Sequence, residues 1–135
     1  MMNYTTGIDT LSLQIDFTNN NQQQEVMYNI INALLSSYNL QIRYNTNRFK
    51  KGLLIHSVYT AGKKILELKS GSYSKRFNKE SKGLIIYYIT IEFAGLKRYN
   101  NKIDDISGKC LKRVVAYLNT NSIRFDISSL DIYVD

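Results

Sequence analysis

The stretch GIDTLSLQIDF, residues 7–17, sets how the rest of the chain is read. Ile8, Leu11, Leu13, Ile15 and Phe17 supply its apolar side chains, and from Thr10 onward Thr10, Ser12, Gln14 and Asp16 alternate with them. A period of two sends alternate side chains to opposite faces of a β-strand, so this strand has one apolar and one polar face. TNNNQQQE then supplies loop and cap residues, and a helix is predicted from about Gln22 to Tyr38. Val26, Ile30 and Leu34 form one i, i+4 line with Met27, Ile31 and Leu35 beside it, a stripe suited to packing on a sheet.

Further strands are predicted at LQIRYN near 40–45, GLLIHSVYT near 52–60 and KKILELKS near 63–70. TAGK joins the last two as a hairpin turn, with Gly62 at the position that needs a permissive backbone. Ser70 to Gly83 is polar and basic and reads as a mobile loop. GLIIYYITIEF, residues 83–93, is rich in β-branched and aromatic residues and belongs in the middle of a sheet. A second helix is expected over about 103–119, with Ile106, Cys110 and Val114 on its inner line and Asp104 and Asp105 at its positive N-terminal end. SIRFDI and SLDIYVD then give one long or bulged strand. The order is β-α-β-β-β-β-α-β in one domain spanning 1–135. That is an α+β fold, a mainly antiparallel sheet of five to six strands with two helices on one face. The other face is left available to solvent or a partner.

No uninterrupted apolar run approaches the roughly 18 residues of a membrane span, and MMNYTTGIDT lacks the cationic and apolar segments of a secretory signal, so a cytoplasmic protein with no membrane partner is expected. The single Cys110 excludes an intrachain disulfide and, with His56 the sole histidine, a Cys/His metal site. Net charge is +7. From Arg48 to Lys82 ten basic residues stand against Glu67 and Glu80, a local +8, and the first 42 residues hold no Lys or Arg. Charge gathered in the middle third fits a cationic face for a polyanion, of which nucleic acid is the commonest. The same charges also fit a basic surface that is merely well solvated.

The candidate DNA-binding residues are Arg48, Lys50, Lys51, Lys63, Lys64, Tyr73, Lys75, Arg76, Phe77, Lys79 and Lys82. Cations hold phosphates without regard to sequence while rings stack on unpaired bases, so this interleaving suits single strands. Tyr44, Tyr59 and one of Tyr87 or Tyr88 are also explained as aromatics packed on the sheet. Asp131 and Asp135 lie four apart on a strand, roughly 13 Å along it, too far to share one ion directly. Asp131 would instead combine with Glu92 or Asp126 around Mg²⁺ or Mn²⁺, ions that need only one or two carboxylates. His56, which shares a face with Leu54 and Val58, reads as structural, and Cys110 as a core residue. No phosphate-binding loop, nucleophile elbow or H-x-H pair occurs.

GIDTLSLQIDF, YYITIEFAGLKRYNN and SSLDIYVD together resemble the N-terminal part of replication initiators of rolling-circle plasmids and filamentous phage, the replication initiation factor type. Leu130, Asp131, Ile132, Val134 and Asp135 match that family's late strand, and Ser129 stands where Arg is usual. The resemblance implies a nickase-like enzyme that cuts DNA with a tyrosine and needs a divalent cation, with Asp131 as a metal-site acid and Asp135 as its companion. The family's tyrosine lies downstream of this strand. The 135 residues are therefore expected to be the N-terminal piece of a longer protein or a shortened relative, inactive as a nickase alone. The expected partner is single-stranded or hairpin origin DNA, with room for a homodimer. The competing expectation is a small phage or mobile-element interaction protein, an inhibitor whose basic surface meets an acidic protein.

Overall fold

The computed structural model describes the backbone of residues 6–46, 53–75, 83–94 and 102–134, and side chains within 10–44, 53–75, 83–94 and 106–130. The elements run β1 (Thr6–Phe17), α1 (Asn20–Ser37), β2 (Gln41–Thr46), β3 (Leu54–Thr60), β4 (Lys63–Lys75), β5 (Leu84–Phe93), α2 (Lys102–Thr120) and β6 (Asp126–Val134). They form the expected α+β architecture in the expected order: a six-stranded sheet, β2-β3-β4-β5-β1-β6, with every neighbouring pair antiparallel.

Register shows which residues share a face, because directly opposed residues of antiparallel strands point the same way. Leu13 opposes Ile91, which opposes Leu68, which opposes His56, which opposes Tyr44. Leu13, Ile91 and Leu68 are buried, and they join Ile30 and Leu34 of α1 and Val114 and Leu118 of α2 in one core cluster. The helices therefore cover this face. They lie side by side, with the Asn29 amide donating to Tyr117 Oη at 3.1 Å. Ser107 of α2, itself buried, donates to Ala94 O at 2.5 Å and pins the helix to the end of β5.

Local chemistry sets the element ends. The Asn19 side chain accepts from the backbone N–H groups of Asn21 at 2.7 Å and Gln22 at 3.3 Å, so α1 begins at Asn20, slightly before the apolar stripe alone suggests. Between β3 and β4, Ala61 and Gly62 both have positive φ, 49° and 78°, the type I′ turn of a tight hairpin. β4 corrects the sequence reading: it continues through Gly71–Lys75, where a mobile loop was expected. Each of those residues opposes a residue of β5, from Tyr88 to Leu84. The strongly β-forming partner supplies the ladder that glycine and serine would not favour alone.

Gly71 has a specific role. A Cβ there would fall 2.8 Å from Tyr88 Oη, so only glycine lets the Tyr88 ring lie across β4. Beneath the same point Gln23 of α1, buried at 6% exposure, donates to Gly71 O at 2.9 Å and to Tyr88 O at 2.8 Å. Both acceptors are carbonyl oxygens, so the amide nitrogen must face them. One side chain thus ties the start of α1 to both central strands.

Candidate nucleic-acid interface

The residues between the core positions form the second face of the sheet, which carries neither helix. Arg43 of β2 lies over the Tyr59 ring of β3, 4.5 Å from guanidinium carbon to ring centroid. Lys64 and Lys69 of β4 flank Glu67, at 2.9 Å and 3.5 Å. The two ammonium groups outweigh the burial of Glu67 and hold its carboxyl below the usual range, while Glu67 raises Lys64. Farther along β4, Tyr73 and Tyr88 face one another with ring centroids 6.1 Å apart. Tyr73 Oη donates to Asp16 Oδ2 at 3.4 Å, and Gln14 Nε2 donates to Asp16 Oδ1 at 2.9 Å.

Charge on this face is divided by position. Arg43, Lys64, Lys69 and Lys75 stand on β2 and β4 with Glu67 among them on β4, whereas Asp16 and Asp126 stand on β1 and β6 and Glu92 on β5 between. A polyanion is attracted to the β2–β4 half and repelled from the β1–β6 edge.

The structure separates several residues that the sequence groups together. Lys63 and Lys64 begin β4 and Lys75 ends it, roughly 40 Å apart at the usual strand rise. Tyr73 stands near the Lys75 end and is 39% exposed. Arg48, Lys50, Lys51, Arg76, Phe77, Lys79, Lys82 and Asp135 lie outside the described residues. β2 ends and β3 begins at the same end of the sheet as the end of β4 and the start of β5. Lys63 and Lys64 sit at the opposite end.

Of the candidate acids, the side chain of Asp131 lies outside the described ones. Glu92 directly opposes Glu67, whose carboxylate already holds Lys64 and Lys69. The backbone of Asp131 pairs with Thr10 while Glu92 pairs with Ser12, two strands and two residues away, on the order of 12 Å between Cα atoms. Among the described residues no three His, Cys, Asp or Glu side chains form a group that suits a metal ion. Tyr73 lies beside a carboxylate, and its phenol is raised through loss of solvent and through Asp16.

On the helix side, α1 and strands β3–β5 border a cleft of about 480 Å³ lined by Gln23, Met27, Tyr28, His56, Ser72 and Tyr87 among others. Among the described residues no Lys, Arg, Asp or Glu lines it. His56 stands in its wall with the Tyr44 ring edge-on at 4.9 Å; its Nδ1 is buried with no hydrogen-bond partner among the described residues, and burial lowers its pKa. Burial thus favours the neutral imidazole. Cys110 is fully buried and its thiol is pushed up to about 11.

The Arg43–Tyr59 stack escapes a reading based on charge density, because Arg43 stands outside the basic segment and meets Tyr59 only through strand register. The alternation of β2 and β3 was the available signal, but their mutual offset was not. No protein-family model and no curated protein matches the chain.

Proposed function

We propose that this chain is a DNA-binding domain of a plasmid- or phage-type replication initiator, acting in the cytoplasm on single-stranded or hairpin DNA. The observation that carries the reading is the helix-free sheet face, where Arg43 on Tyr59, Lys64, Lys69 and the Tyr73–Tyr88 pair run across β2–β5. Phosphates meet the cations, and an unpaired base stacks on the exposed part of Tyr73. The division of charge directs the strand along β2–β4 and away from Asp16 and Asp126. The role proposed for these residues is binding.

Fluorescence anisotropy with a labelled single-stranded oligonucleotide and a hairpin, each with and without Mn²⁺, tests this. Arg43→Glu with Lys69→Glu should weaken binding about tenfold, and Mn²⁺ should have no effect beyond that of ionic strength. Unchanged affinity in the double variant removes the DNA from this face. Binding of an acidic protein with indifference to DNA supports the inhibitor instead.

A further inference from the structure

The cleft on the helix side holds polar groups that the packing of the fold does not use. Gln23 is 6% exposed, and its amide nitrogen is committed to Gly71 O and Tyr88 O. Its Oε1 accepts no hydrogen bond among the described residues. The one buried side-chain polar atom without a partner among them is His56 Nδ1, so Gln23 Oε1 is open to solvent, and Gln23 lines the cleft. The two hydrogen bonds that orient the amide therefore hold an acceptor at a fixed point there.

Hydroxyl donors stand beside it. Ser70 and Ser72 flank Gly71 on β4, and both face the helix side, since Ser70 opposes Ile89 of the core and Ser72 opposes Tyr87. Both line the cleft, and neither hydroxyl has a hydrogen-bond partner among the described residues. The rest of the wall is chiefly apolar and aromatic, with Met27 and Tyr28 from α1 and Leu54 from β3.

We infer that this cleft binds a small, flat, uncharged ring compound that carries a cyclic amide. The amide N–H donates to Gln23 Oε1, and the adjoining carbonyl accepts from the Ser70 or Ser72 hydroxyl. The ring packs on Met27, Leu54 and Tyr28. A volume of about 480 Å³ suits such a ligand, and an apolar wall with a few convergent polar groups is the usual make-up of small-molecule sites. The groups on offer are an amide oxygen and hydroxyls, so an uncharged ligand finds its partners there, whereas an ion taken out of water beside them lacks a countercharge. The inference is independent of the DNA-binding reading, whose residues lie on the other face of the sheet.

His56 is the only histidine and stands in the cleft wall, so its imidazole Cε1–H signal reports occupancy in a proton NMR titration. 2-Quinolone, a two-ring cyclic amide, should shift that signal saturably with a dissociation constant of about 1 mM, the value expected for so few atoms. N-Methyl-2-quinolone keeps the ring and carbonyl but loses the donor, and should bind about tenfold more weakly. Gln23→Leu should erase the difference between the two compounds, and Tyr28→Ala, which changes a side chain 66% exposed, should weaken both. The two compounds on the unaltered protein decide the matter even if Gln23→Leu fails to fold. Absence of a saturable shift up to the solubility limit, or equal binding of the two compounds, overturns the inference. So does a difference that persists in folded Gln23→Leu, or a titration that Tyr28→Ala leaves unchanged. Each of these results leaves the sheet-face reading standing, because DNA binding is measured separately.

Discussion

Gln23→Leu isolates the joint between α1 and the central strands. Leucine nearly matches glutamine in volume, so packing changes little, but the two hydrogen bonds to Gly71 O and Tyr88 O vanish. Each such bond contributes about 1 kcal/mol net, and a buried carbonyl left without a donor costs about 1 kcal/mol more. The added apolar contact beside the cleft returns about 1–2 kcal/mol of the total. The net loss is then about 2 kcal/mol, which lowers the melting temperature of a domain this size by roughly 6–10 °C. Calorimetry measures the melting temperature, and hydrogen exchange locates the effect. Protection at Tyr73–Lys75 should fall by more than protection at Leu66 and Ile91, because the last residues of β4 lose their tie to α1 while the core keeps its packing. A melting temperature within about 1 °C of wild type, with uniform exchange, refutes the reasoning.

Three further outcomes follow from separate features. Ala61 occupies left-handed φ in the β3–β4 turn, so Ala61→Asn, which makes the Asn-Gly pair typical of this turn, should stabilise the fold by about 0.5–1 kcal/mol in urea denaturation. Burial lowers the pKa of His56 from its ordinary 6.5, so below neutrality the unfolded chain takes up a proton that the folded chain resists. Stability should therefore be full above pH 6.5 and decline as pH falls toward the depressed folded value, and His56→Gln should flatten that decline in melting scans at pH 7 and pH 5. Cys110, buried with its thiol raised to about 11, should stay unreactive toward a thiol-specific disulfide reagent at pH 8 until urea unfolds the chain, and quick labelling of the native protein would contradict its placement in the core.

Much of this fold can be read in the sequence because its signals are local. Alternation in 7–17 and 83–93 marks β1 and β5, the i, i+4 stripes mark α1 and α2, and Gly62 marks the hairpin. The last residues of β4, Gly71–Lys75, could not be read that way. GSYSK looks like a loop, and its strand conformation comes from pairing with residues 84–88 of β5. The candidate surface was partly legible. Clustered lysines pointed to a cationic region, but strand direction put Lys63 and Lys64 at one end of β4 and Lys75 at the other. Register, invisible in a single sequence, brought Arg43 to Tyr59 and Tyr73 to Asp16 and kept Glu92 away from Asp131.

The claim that a polyanion lies on the β2–β4 half of the uncovered face is tested most directly by a salt titration. Four described cations, Arg43, Lys64, Lys69 and Lys75, give a slope of log K against log salt of about −3 for a single strand. The account predicts that slope between 50 and 200 mM salt, made shallower by about one in Arg43→Glu. Affinity that does not respond to salt, or a slope that Arg43→Glu leaves unchanged, contradicts it.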